Sequence, residues 1–231
     1  MRIGLLLCDH VSDEYNQIAG DYDEMFASML EGRDVDLSAY DIRNGRLPVN
    51  PTECDGYLIS GSRASVYEDE RWIRDLEAFV RVSVDASVPI FGICFGLQVM
   101  ATALGGSVEK SRLGWGVGVH AMTVAESRPW MAPFHETVSL VTSHQDQVTQ
   151  LPTDAVVLGS SDHCDNFLVE FATGYVGIQG HPEFAAPFMK AIYSDRRDQL
   201  GGLAEQAIAS LDSPTDTSVV VDWVLAIFSQ M

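Results

Sequence analysis

The stretch Val88-Pro89-Ile90-Phe91-Gly92-Ile93-Cys94-Phe95-Gly96-Leu97-Gln98 restricts the fold of this chain more than any other. A continuous apolar run ends at Ile93 and helical spacing begins at Phe95, so Cys94 is the whole connection. Only a buried strand feeding straight into a helix satisfies that pattern. Gly92 and Gly96 flank the cysteine at two residues on either side, which lets the two segments approach closely. Such junctions belong to sheets whose strands are joined by crossover helices.

The remaining chain agrees. Ile3–Cys8 is an apolar run, Tyr15–Leu30 has helical spacing, and Val35–Ile42 and Gly56–Ser60 read as further strands. Over Glu70–Val84 the residues Trp72, Leu76, Phe79 and Val80 recur at i, i+4, i+7 and i+8, which predicts an amphipathic helix. Phe95–Leu104 continues as a helix after the elbow. From Gly105 the pattern shortens to Gly116–Val124, Thr137–Val141, Ala155–Gly159, Phe167–Phe171 and Tyr175–Ile178, predicted as antiparallel ribbons and edge strands. Pro187–Leu211 and Thr217–Gln230 return to helical spacing. The expected architecture is one α/β domain over residues 1–231: an open, mostly parallel twisted sheet with helices on both faces and antiparallel ribbon insertions.

Charge narrows the partners. The 231 residues carry a net charge of −19, and Lys110 and Lys190 are the only lysines. Nucleic acid and anionic membranes both select positive surfaces, so neither is an expected partner. No apolar run reaches the roughly 18 residues that span a bilayer. The opening Met1–Asp9 is too short for a signal peptide and lacks a small-residue cleavage site, so it reads as a first strand. Cys8, Cys54, Cys94 and Cys164 form no CxxC pair, which predicts reduced thiols and a cytoplasmic setting.

The elbow cysteine is the candidate nucleophile. At a helix start, free backbone N–H groups and the positive end of the dipole favour a thiolate, and the same N–H groups can hold an oxyanion. A thiolate needs an imidazole, and the imidazole needs a group to fix its tautomer. In Gly180-His181-Pro182-Glu183, extended backbone puts residues i and i+2 on one face, and Pro182 biases His181 toward that conformation. The segment follows the apolar run Tyr175–Gln179, which can end at the same sheet edge as Cys94. His144, in Ser143-His144-Gln145-Asp146, is the rival base, with neighbours better suited to holding a ligand. Asp162-His163-Cys164-Asp165 has no second cluster at metal-ligand spacing and reads as a polar loop. His10, His120 and His135 have no visible partner. These residues require neither a metal nor a cofactor.

Taken together, Gly92-x-Cys94-x-Gly96-x-Gln98 and His181-Pro182-Glu183 resemble the class I (triad) glutamine amidotransferases. The likeness is closest to stand-alone relatives of the GMP synthetase amidotransferase domain and extends over Leu58–Ser62 and Ser143–Val148. The resemblance implies a flavodoxin-like fold and a Cys94–His181–Glu183 triad. That triad would attack a γ-glutamyl amide, form a thioester, and release ammonia or an amine, then glutamate. It also implies oxyanion donors at the N–H groups of Phe95 and Ser62, and a glutamyl pocket lined by Gln98, Ser143 and Gln145. The family's usual Gly-Gly-Pro loop reads Gly61-Ser62-Arg63 here, which leaves Arg63 facing either solvent or an anionic substrate. α/β-Hydrolases with a G-x-C-x-G elbow place the acid before the histidine, and related amidases and chaperones carry His directly after the cysteine. This chain does neither.

Three functions fit these residues. The first is a free-standing hydrolase of γ-glutamyl amides or peptides. The second is a glutaminase subunit serving a separate synthetase, since no Walker-type loop for ATP is present. The third is a non-catalytic sensor of a small γ-glutamyl ligand.

Overall fold

The first strand, β1 (Arg2–Leu7), is buried along five of its six residues and sits among parallel neighbours. In the computed structural model, which describes residues 1–230, it leads to α1 (Asp13–Ala19) and α2 (Tyr22–Met29). β2 (Asp36–Asp41), β3 (Gly56–Ile59), α3 (Arg71–Asp85), β4 (Ile90–Ile93) and α4 (Phe95–Ala103) follow. Next come β5 (Ser107–Lys110), β6 (Gly116–Val124), β7 (Thr137–His144) and β8 (Asp146–Gln150). β9 (Val156–Ser160), β10 (Leu168–Ala172) and β11 (Tyr175–Ile178) complete the strands. The chain closes with α5 (Ala186–Asp195), α6 (Arg197–Leu200), α7 (Leu203–Ser210) and α8 (Thr217–Ser229).

Nine strands form one sheet in the order β2-β1-β3-β4-β11-β10-β9-β6-β7, and β5 pairs with β8 as a separate ribbon. Pairing is parallel from β2 to β11 and antiparallel from β11 to β7. α3 and α4 cover one face through Trp72, Leu76, Phe79, Phe95 and Leu97. α2 and α8 cover the other through Phe26, Val220, Trp223 and Val224. Each such side chain, taken out of water, contributes about 2 kcal/mol. α1, α5 and α7 form a third apolar cluster with Val11, Phe188, Ile192, Tyr193 and Ala204. No helix among the described residues is long and apolar enough to cross a membrane.

Several expectations are corrected. Tyr15–Leu30 is two helices, because Gly20 takes a positive φ of 75° and Asp21 caps α2 in a reciprocal capping box with Glu24. Pro187–Leu211 is three helices, broken at Arg196 and again at Gly201, whose φ is 56°. Tyr175–Ile178 forms the expected antiparallel ribbon with β10 but is no edge strand: it lies inside the sheet, parallel to β4 on its other side. Its four fully buried residues are what a strand covered on both faces requires. The β5–β8 ribbon has no counterpart in the hydrophobic pattern, since each strand contributes one buried residue, Val108 against Val148.

The elbow itself is tightly packed. A Cβ on Gly92 would run into the backbone of Gly96, and one on Gly96 would lie 2.5 Å from the Ile59 carbonyl oxygen. Backbone cannot yield as a flexible side chain can. Gly92→Ala is therefore expected to lower stability by about 2 kcal/mol or more. Urea unfolding should show this as a reduced midpoint with an unchanged slope.

Candidate active site

Cys94 lies between β4 and the first residue of α4, with φ 53° and ψ −101°. A non-glycine residue enters that region only when its surroundings force it. Here the Cys94 N–H donates to Ile178 O at 2.8 Å, which continues the β4–β11 pairing one residue past the strand. The turn aims the side chain into a cleft of about 450 Å³.

β11 delivers the imidazole. Three residues after its end the chain reaches His181, whose N–H donates to Val141 O at 2.8 Å, anchoring it to β7. The Nδ1 edge of the ring and Glu183 Oε1 are 2.7 Å apart, and both side chains are almost completely buried. Phe184 stacks on the imidazole with centroids 4.0 Å apart and planes 8° from parallel. Burial alone would push the His181 pKa down. The Glu183 carboxylate and the neighbouring Cys94 sulfur outweigh it and raise the value to about 10. Gly61 closes over the pair: a Cβ there would lie 2.9 Å from His181 Cε1 and 3.9 Å from Cys94 Cβ.

The loop after β3 is held from below. Ser62 Oγ donates to Cys8 O at 3.1 Å. Arg63 faces neither solvent alone nor an open anion site. Its backbone N–H, Nε and Nη2 donate to the carboxylate of Asp9 at 2.9, 2.8 and 3.0 Å, and Arg43 adds a bond of 2.8 Å. Burial of Asp9 opposes its ionisation, but these donors overcome it and hold its pKa down at about 2. Among the described residues, the Ser62 and Phe95 N–H groups donate to no protein acceptor, and both belong to elements bordering Cys94.

Gln98 reaches the cleft from α4. Its Nε2 donates to Asp146 O at 2.8 Å and to Gln179 Oε1 at 3.2 Å, which turns its carbonyl oxygen toward the cavity as an acceptor. Ser143 and Gln145 line the same cleft. His144, the rival base, is buried, with Nδ1 beside Asp146 O at 3.2 Å, and burial pushes its pKa down to about 3. A ring that stays neutral at ordinary pH cannot supply the imidazolium that a thiolate partner requires. Asp162–Asp165 is a loop with both aspartates exposed, and within it His163 packs edge-on against His120 and His144. Among the described residues, no group of three or more His, Cys, Asp or Glu side chains is arranged to hold a metal ion. His10 gains Asp21 at 2.6 Å and Asp41 at 3.4 Å.

Sequence reasoning missed Phe184, Asp9, Tyr67 and Asp146. Asp146 accepts from Ser65 Oγ at 2.5 Å and from Tyr67 at 3.0 Å, tying the loop after β3 to the β5–β8 ribbon. Only Phe184 was signalled, as an aromatic directly beside the His-Pro-Glu segment. The others depend on contacts between distant segments.

A family model described as glutamine amidotransferase class-I matches residues 19–195. Gamma-glutamyl peptidase 5 of Arabidopsis thaliana is 28% identical over 192 residues, covering 79% of this chain and 76% of that protein. The GMP synthase [glutamine-hydrolyzing] of Streptococcus pneumoniae (strain CGSP14) is 32% identical over 183 residues, covering 78% of this chain but 32% of that protein. Among solved structures, a glutamine amidotransferase from Thermotoga maritima superposes with a TM-score of 0.76 at 19% identity, covering 100% of this chain and 96% of that one, a likeness of fold. With its elbow, its His-Pro-Glu segment and a family match spanning most of its length, this chain belongs to the class-I glutamine amidotransferases.

Proposed function

We propose that this protein is a cysteine amidohydrolase that cleaves γ-glutamyl amide bonds through a γ-glutamyl thioester on Cys94. The observation that carries the reading is the buried His181–Glu183 pair, 2.7 Å apart, on the ring that also meets the Cys94 sulfur. Kinship to proteins named gamma-glutamyl peptidases supports the choice of bond.

The chemistry follows from the charges. Glu183 and Cys94 favour the imidazolium, so in this reading the ring takes the Cys94 proton and generates the attacking thiolate. The thiolate attacks the γ-carbonyl carbon, and the carbonyl electrons move to oxygen. The N–H groups of Phe95 and Ser62 stabilise that oxyanion, Phe95 with help from the positive end of α4. Collapse breaks the C–N bond while the imidazolium gives its proton to the departing amine. Water then attacks the thioester carbonyl and loses its proton to the now neutral ring. Breaking the C–S bond releases glutamate and restores the thiolate and imidazolium. No metal or redox step is needed for the atoms to balance.

Gln98, Ser143 and Gln145 hold the glutamyl head in this reading. The carbonyl of Gln98, left free by its two internal bonds, suits the substrate's α-ammonium, and Asp146 lies beside it. The second reading, a glutaminase subunit feeding a synthetase, draws on the GMP synthase likeness, which covers about a third of that protein. The aromatic residues of the cleft favour the hydrolase, since ammonia offers them nothing to bind.

Two measurements test the reading. Cys94→Ala should release no glutamate from glutamine or any γ-glutamyl dipeptide, a loss of roughly 10⁴-fold or more, and should show no thioester adduct by intact mass. Glutamate release by that variant at the parent rate would end the assignment. Glu183→Gln should lower kcat by about 10²-fold. The ring is protonated below its raised pKa and loses the proton as pH climbs through about 10. Removing the carboxylate leaves burial to dominate, so the alkaline limb of kcat/KM should move to lower pH. An unmoved limb would show that Glu183 does not govern the His181 proton.

A further inference from the structure

The walls of the cleft differ. One is polar and is built from Gln98, Gln145, Asp146, Tyr67 and Lys110. The other is largely apolar and aromatic, built from Tyr15, Trp115, Phe184, Phe188 and Ile192, with Arg196 at its end. The two walls belong to different parts of the fold. The polar one joins α4, the β5–β8 ribbon and the loop after β3, while the apolar one is the face of the α1–α5–α7 cluster.

Charge marks the same division. In a protein of net charge −19, ten of the 14 lysines and arginines have a carboxylate partner among the described residues. Among the described residues, Arg46, Lys110, Arg112 and Arg196 form no ion pair. Two of these line the cleft, Lys110 on the β5–β8 ribbon and Arg196 at the break between α5 and α6. Lys110 faces Asp146 across the ribbon, so together they present a cation and an anion to a zwitterionic glutamyl head. Arg196 sits half-buried at the break between α5 and α6, and its field reaches the hydroxyl groups of Tyr22 and Tyr193. The adjacent Asp195 is not part of the cleft lining and accepts instead from the Tyr15 hydroxyl at 2.7 Å. Among the described residues no carboxylate pairs with Arg196, although carboxylates outnumber cations by more than two to one.

We infer that the apolar wall is a leaving-group subsite for an amino acid or short peptide with a large apolar side chain, whose free carboxylate is bound by Arg196. The inference rests on the hydrolase reading above and narrows it. Glutamine carries one carboxylate and a leaving group without apolar surface. A γ-glutamyl amino acid carries two carboxylates, one for each unpaired cation, and an apolar body between them for the aromatic wall. Arg196 thereby discriminates among substrates. A guanidinium can take a carboxylate through two parallel N–H bonds, and in a half-buried setting that contact is worth about a factor of ten or more in binding.

The test compares glutamate release from γ-glutamyl-phenylalanine, its C-terminal amide and glutamine. The parent enzyme should favour the free acid over the amide by about tenfold or more in kcat/KM, and should favour both over glutamine. In Arg196→Ala and Arg196→Gln the acid-to-amide ratio should fall to near one. Arg197→Ala, which removes a neighbouring arginine paired with Glu205 outside the cleft, should keep the parent ratio. Because each ratio compares two substrates on one enzyme, partial unfolding of a variant cancels. Glutamine as the best substrate, or the same ratio in the parent and both Arg196 variants, would overturn the subsite and leave the hydrolase standing. No hydrolysis of any of the three, with no thioester on Cys94, would instead remove the hydrolase reading and the subsite with it.

Discussion

Everything at the site depends on the hydrogen bond from the Cys94 N–H to Ile178 O. It fixes the strained turn, with its φ of 53°, and ties the end of β4 to the end of β11. β4 leads into the sulfur of Cys94 and β11 leads to the imidazole three residues later, so a main-chain bond ties together the two strand ends that carry the candidate nucleophile and its base. Gly92 and Gly96 make this possible by letting α4 start without a loop. The close backbone packing is what holds the cysteine away from the relaxed regions of φ and ψ.

Around that fixed spacing, charge does the remaining work. Burial alone would push the His181 pKa down, and Glu183, 2.7 Å away, together with the Cys94 sulfur reverses the outcome. Phe184, parallel to the ring at 4.0 Å, prevents it from rotating and keeps water off one face. A second buried carboxylate, Asp9, does a different job. By gathering Arg43, Arg63 and the Arg63 N–H, it gives the loop through Ser62 a rigid base where relatives of this type commonly use Gly-Gly-Pro. The departure at Ser62-Arg63 is thus accompanied by its own support.

What could be read from the residues alone follows a physical line. Cys94, His181 and Glu183 were legible because each lies in a local pattern, a strand–helix junction or an extended i, i+2 pair. The parallel core was legible because its strands are continuous apolar runs. Tyr175–Ile178 has the same kind of run, but its neighbours are chosen by the path of the chain, so its central position was hidden. The β5–β8 ribbon rests on one Val–Val contact and on backbone bonds, neither of which leaves a periodic signal. Asp9 and Arg63 are 54 positions apart, and Ser65 and Asp146 are 81. No local reading connects such pairs.

The wall that carries Arg196 is contributed by α5 and α6, joined at a break in the helix, while the sulfur and the imidazole are fastened to the sheet by main-chain bonds. Substitutions at the cleft-lining Arg196 and Gln199 leave those main-chain bonds untouched. A lineage built this way can change its diet by redecorating one hairpin of helices, its chemistry inherited intact.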